Sequence, residues 1–221
     1  MVSAAVPAVA PAAPALLAPA AAPRVKGRFY VHHARELRFA LHEDVDPDAL
    51  TKLHRKNAAL HFAVLGWQLF LTATSTVVLV TVTNPFIWIP FAIIQGFTVF
   101  NFTVMLHEVV HSAVFVEQRP KWMRFLSLLY SIPSGISATQ FTRWHLDHHD
   151  NLGSWEDDPK RHWLSPKRNA RWFKLLYCTP VLIPLYFRAA ASEARYYPRE
   201  LRRTIMLERL ATVAFQLSVA V

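Results

Sequence analysis

Between Phe62 and Leu106 the chain contains no Asp, Glu, Lys or Arg, although 24 basic and 15 acidic residues crowd the sequence on either side. A hydrocarbon core about 30 Å thick takes about 20 helical residues to cross, so this run is long enough for two membrane spans. The stretch TVTNPFI divides it. Asn84 is a good N-cap and Pro85 suits a first helical position. The expectation is a tight helical hairpin over residues 62–83 and 85–106 of an all-α, multi-pass membrane protein.

The turn at Asn84 carries no basic residue, whereas Lys and Arg are frequent before Phe62 and after Leu106. By the positive-inside rule both flanks, and with them the N-terminus, are expected on the cytoplasmic side. Topology and anionic lipid thus account for the net charge of +9. No recognition motif supports a nucleic-acid partner. A single cysteine, Cys178, excludes a disulfide framework and a four-cysteine iron–sulfur site. There is no glycine-rich nucleotide loop among five glycines, so any electrons must come from another molecule.

Residues 1–23 form an Ala/Pro tract in which proline recurs too often for a helix or packed core. It reads as a disordered tail; a signal peptide is disfavoured by the missing basic start and broken apolar run. Residues 24–61 read as a polar cytoplasmic segment in which DVDPDAL starts a helix. After the hairpin, Trp122, Phe125, Leu126, Leu129 and Tyr130 share one helical face opposite Lys121, Arg124 and Ser131. That face suits either the membrane interface or a soluble core. Residues 172–187 are apolar but hold a lysine and two prolines, and read as an interfacial or re-entrant segment. The expected organisation is completed by a cytoplasmic metal-binding region over 107–206 and the start of a third span over 207–221.

Two histidine clusters carry the chemistry. In HEVVH, continuing from the second span, His107 and His111 stand at i, i+4 and share a helix face. In HLDHH, His145, His148 and His149 stand at i, i+3 and i+4. Five imidazoles so spaced point to metal ligation, and neutral imidazole suits iron, zinc, copper and nickel alike. The single histidines His32, His33, His42, His54 and His61 read as surface or satisfied core groups, while His162 is open to either reading. A ligating imidazole usually gives its other N–H to a carboxylate. Asp147, Asp150, Glu156, Asp157 and Asp158 are near in sequence, and Asp150 and Asp158 are the expected partners.

HEVVH also matches H-E-x-x-H, in which two histidines hold zinc and the glutamate is a general base. A membrane-embedded zinc metalloprotease is therefore a competitor. Such a site needs one more ligand, whereas this chain offers three further clustered histidines.

The pair HEVVH and HLDHH resembles the histidine boxes of the membrane fatty acid desaturase superfamily, over about residues 60–221. The wording MLHEVVHSAVF, SIPSGI and RWHLDHHDNLG resembles the sphingolipid (dihydroceramide) branch, with bacterial acyl-lipid desaturases also similar. The short first box leans toward acyl-lipid and sphingolipid enzymes rather than acyl-CoA ones. The resemblance implies a lipid desaturase with two Fe ions as a di-iron centre, using O₂ and an external donor such as ferredoxin or a b-type cytochrome. It carries ligand roles onto His107, His111, His145, His148 and His149. A membrane lipid or acyl lipid would be the substrate, and a di-iron lipid hydroxylase is the sister outcome.

The chain departs from that family in lacking a third histidine box, since none of its 11 histidines lies beyond His162. Five imidazoles are too few for two irons. The expectation is a chain truncated in its third span and inactive by itself. A histidine-rich metal carrier or degenerate scaffold is the non-enzymatic alternative.

Overall fold

The computed structural model describes residues 25–165, 170–176 and 179–220, the side chains of 219 and 220 excepted. The Ala/Pro tract expected to be disordered and Cys178 lie outside these residues. The described chain is all helix, with no strand among the described residues. Three short helices lead in: α1 (Phe29–His33), α2 (Arg35–Asp44) and α3 (Pro47–Leu53). The long pair α4 (Ala58–Thr81) and α5 (Pro85–Val110) follows, then α6 (Pro120–Ser131) and α7 (Ala138–Asp150). A π-helical turn, Lys160–Leu164, precedes α8 (Arg171–Leu176), α9 (Leu182–Ala194) and α10 (Arg199–Ala220).

Local chemistry sets the boundaries. Asp46 caps α3 by accepting from the amides of Asp48 and Ala49, with Pro47 in the first turn. Asn57 caps α4 through the Leu60 amide. At the hairpin, Asn84 accepts from the Phe86 amide at 3.0 Å and Pro85 opens α5. Trp88 then reaches back across the turn to the Leu79 carbonyl at 3.2 Å. The hairpin therefore turns where the sequence indicates, and α5 runs past Leu106 into the first histidine box.

Two helical stretches, Pro47–Thr81 and Pro85–Val110, are long and apolar enough to cross a membrane. Only 17% and 22% of their most apolar windows are buried inside the protein, so these are not core helices of a soluble fold. What they bury lies toward the histidine end. Leu65 of α4, Phe102, Met105, Leu106 and Val109 of α5, and Leu126 and Tyr130 of α6 form one core.

Helix α6 buries only part of its apolar face. Leu126 and Tyr130 are buried, while Trp122 and Phe125 remain more than half exposed. Ser131, expected on the polar side, is buried instead and donates to the Leu128 carbonyl. Residues 172–187 break into α8 and the start of α9. Ala189 and Ala190 of α9 pack on Trp144 of α7. Helix α10 runs unbroken through the boundary expected at 207 and is not among the candidate spans of the described residues. It turns Ile205, Glu208 and Thr212 inward. Glu208 accepts from Ser137 Oγ, from the amide and hydroxyl of Thr139, and from Arg124, tying α10 to α6 and the start of α7.

Candidate metal centre

The first box closes α5: His107 lies in its last turn and His111 is the residue after Val110, its amide bonded to the His107 carbonyl. After α6 the chain must turn back, and SIPSGI does this with Gly135 at φ +78°, a left-handed conformation that a side chain would strain. Ser137 then caps α7 by accepting from the Gln140 amide at 3.1 Å. This brings α7 alongside the end of α5.

Four histidines converge. One ring nitrogen from each of His107, His111, His145 and His149 lies within 4.8 Å of the others. His145 Nε2 stands 2.8 Å from His111 Nε2 and 2.9 Å from His149 Nε2. Nitrogens sharing one ion at bonds of about 2.0–2.1 Å stand roughly 2.9–3.4 Å apart, so His145 stands at about ligand-sharing distance from both His111 and His149, with His107 completing the cluster. His145 is 4% exposed, its Nδ1 is buried without a hydrogen-bond partner, and Phe141 stacks on its ring. Burial, followed by the Lys160 ammonium and the neighbouring imidazoles, pushes His145 down to about 3. Burial and His111 also lower His149. These rings are therefore held neutral, the form that binds metal.

His148, the fifth box histidine, is oriented differently. Its Nδ1 is 2.8 Å from Asp158 Oδ1, and the amides of Lys160 and Arg161 donate to the same oxygen. Burial raises the Asp158 pKa, but the His148 hydrogen bond and the two amides outweigh it, so the carboxyl sits below its usual range. With Nδ1–H given to Asp158, a neutral His148 keeps its lone pair on Nε2. A second ion would have this nitrogen and would need donors beyond the four-histidine cluster.

Asp150 does not share this arrangement. It lies about 100° around α7 from His149 and pairs with Arg28 at 3.6 Å. Asp147, roughly opposite His145 on the helix, is buried against Lys26. His162 meets the Trp155 carbonyl at 3.3 Å.

Glu108 of the first box engages a histidine that the sequence offered only as a lone residue. His61, 6% exposed, donates from Nδ1 to Glu108 Oε2 at 2.7 Å and receives Tyr130 O–H on Nε2 at 2.8 Å. Burial raises the Tyr130 pKa and keeps it a donor. His61 is thus a satisfied core group, as its isolation suggested, but it also links α4, α5 and α6 beside the centre. No sequence signal joins it to Glu108, 47 residues away. Lys160 is the other neighbour that sequence reasoning missed. A groove of about 740 Å³ runs between α4 and α5, lined by Leu60, Val64, Met105, Glu108 and His111 among others.

An all-helical chain that pairs two apolar helices with four converging histidines defines a class of membrane-associated proteins with a candidate metal site. Residues 83–221 match the family described as fatty acid desaturase, and the chain belongs to that family. It is 28% identical over 127 residues to the human sphingolipid delta(4)-desaturase/C4-monooxygenase DES2, covering 54% of this chain and 36% of that protein. It is 34% identical over 55 residues to the human sphingolipid delta(4)-desaturase DES1, covering 24% of this chain and 17% of that one. The Xenopus tropicalis DES1 is 28% identical over 95 residues, covering 39% and 27%. The chain therefore spans from about a sixth to just over a third of these relatives' lengths. No solved structure matches it significantly.

Proposed function

We propose that this chain carries part of the oxidising centre of a lipid desaturase, which introduces a double bond into an acyl chain of a membrane lipid. The observation that carries the reading is the meeting of two histidine boxes, at His107, His111, His145 and His149, in a member of the desaturase family. These four would hold one iron, and His148, oriented by Asp158, would contribute to the second. Bound iron, supplied with O₂ and two electrons from a donor such as ferredoxin or a b-type cytochrome, provides the high-potential oxidant that a methylene C–H bond demands. The groove beside His111 supports entry of a lipid tail from the apolar hairpin. The protein's own contribution is to hold the imidazoles neutral, to fix the His148 tautomer, and to present apolar walls to the tail.

We place the N-terminal segment and both boxes on the cytoplasmic side, and hold residues 24–61, 62–106 and 107–206 as functional divisions of the chain. Hydroxylation is the second reading, favoured by one observation: a relative bears both desaturase and monooxygenase in its name. The zinc protease reading gains no support from Glu108, which is engaged by His61.

Elemental analysis of detergent-purified protein tests the proposal. Iron in the purified chain, lost on His145→Ala, is the expected result. One zinc per chain, with peptidase activity abolished by Glu108→Gln, would replace the desaturase reading.

A further inference from the structure

Four consecutive residues at the start of the described chain lie across α7 and the loop that follows it. Lys26 Nζ is 2.6 Å from Glu193 Oε1 on α9 and 3.3 Å from Asp147 Oδ2 on α7. The Gly27 amide donates to Asp157 Oδ2 at 3.1 Å. Arg28 meets Asp150 at 3.6 Å, and the Phe29 amide donates to Asn151 Oδ1 at 3.2 Å. Asn151 is itself buried and returns a hydrogen bond to the Asp147 carbonyl at the end of α7. Every one of these partners lies on α7, in the loop leading to Asp158, or on α9.

Arg28 and Asp150 pair at the surface, but the two Lys26 pairs are buried. The Lys26 side chain is 10% exposed and that of Glu193 only 2%. Glu193 Oε2 also takes the Trp163 indole N–H at 2.7 Å, from the π-helical turn that holds Lys160. Two buried carboxylates, one from α7 and one from α9, thus share a single ammonium. Arg143 also reaches Asp147 at 3.3 Å but is more than half exposed. Glu193 meets no other cation among the described residues. Removing Lys26 would leave like charges facing each other in a low-dielectric setting, which favours separation of the two helices. Asp147 stands roughly 200° around α7 from both His145 and His149. Any shift of that side of the helix is therefore carried to the histidines as a rigid body.

We infer that Lys26 is a positioning residue for the second histidine box: by clamping α7 to α9 from behind, it holds His145, His148 and His149 at the spacing a metal ion requires. The inference rests on the metal-centre reading of the proposed function. It gives the segment just before α1 a task in the centre that nothing in its composition suggests.

The test compares the full chain with Lys26→Met, Lys26→Arg and the triple variant Lys26→Met, Asp147→Asn, Glu193→Gln, in which all three groups are uncharged. Two readouts are used in detergent: amide hydrogen exchange by segment, and Co²⁺ titration followed by the visible absorption of the bound ion. Lys26→Met is expected to speed exchange in α7 about 10-fold or more while α4 and α5 keep wild-type protection. It should also weaken Co²⁺ binding on the order of 10-fold, with a changed visible spectrum. Lys26→Arg should keep most of the affinity, and the triple variant should recover both readouts, because it removes the charge conflict without restoring the lysine.

Wild-type Co²⁺ affinity and α7 protection in Lys26→Met would overturn the inference. So would a triple variant no better than Lys26→Met, since charge would then not be the cause. If Lys26→Met does not accumulate as folded protein, recovery of folded, Co²⁺-binding protein in the triple variant supports the clamp, and failure to recover overturns it. A wild-type chain that takes up no Co²⁺ would sink the metal-centre reading, while exchange at α7 still decides whether Lys26 is the clamp.

Discussion

Helices α5 and α10 are similar in length but differ in what they bury. Helix α5 leaves Phe86, Phe97 and Phe100 more than half exposed and packs only toward its histidine end. Helix α10 turns a carboxylate inward at Glu208 and surrounds it with Ser137, Thr139 and Arg124. The same contrast divides the molecule. The α4–α5 hairpin is apolar, lightly packed within the protein and suited to lipid, whereas α6, α7, α9 and α10 are joined by buried charge. Shape in the second region depends on particular polar partners, and that is the region holding His145, His148 and His149. Apolar contacts tolerate small displacements, while a buried carboxylate with specified donors does not. The side of the fold that bears the second histidine box is accordingly the more exacting one.

Substitutions should reveal this asymmetry. The largest loss is expected from Glu208→Ala, which strands Arg124, two hydroxyls and an amide, at a cost on the order of 3–5 kcal/mol. A thermal unfolding midpoint unchanged in detergent would dissolve the contrast. Leu106→Ala, at a position with no exposure in the one packed patch of the hairpin, should cost about 2–4 kcal/mol by the same measurement. Asp158→Asn should leave the fold intact and weaken metal binding about 10- to 100-fold, equivalent to roughly 1.4–2.7 kcal/mol, as read by metal titration.

A pH dependence and a near-silent substitution sharpen the comparison. His145 is held near 3 in the fold against its ordinary 6.5, so below about pH 6.5 the unfolded chain takes up a proton that the folded one refuses. Stability of metal-free protein should therefore fall as pH drops from about 6.5 toward 3. His145→Asn should flatten that slope in pH-dependent unfolding. Phe86→Ala, at a residue 87% exposed, should change stability in detergent by less than about 0.5 kcal/mol.

What the sequence disclosed follows the same division. The hairpin was legible because its signals are local: an uncharged run, an N-cap and a proline within two residues of each other. The two boxes were legible because helical spacing alone puts His107 with His111, and His145 with His149, on shared faces. The partners were not. Asp150 and Asp158 look equivalent in a string of carboxylates, yet the first points away along the helix and the second returns through a loop to His148. His61 sits 47 residues from Glu108, and Lys26 sits 167 residues from Glu193. Long-range pairing of single charged or polar groups leaves no periodic trace, since any compensating charge elsewhere in the chain would read the same. Ser131 reads as solvent-facing because it is a polar residue beside an apolar stripe, whereas in the fold it is buried and its hydroxyl bonds the Leu128 carbonyl.

The unbroken passage of α5 from its Asn84 cap to the histidines makes the helix a depth gauge. At about 1.5 Å per residue, the stretch from Asn84 to His107 measures roughly 35 Å, and with no break before Val110 it fixes how far the centre stands from the hairpin's far end. One inserted residue would lift His107 and His111 by about 1.5 Å and also swing them by about 100°, away from α7. Only whole turns, of about 5.4 Å, preserve the meeting of the two boxes. In this architecture the height of the histidine cluster above the hairpin turn changes in steps of a helical turn, not by gradual adjustment.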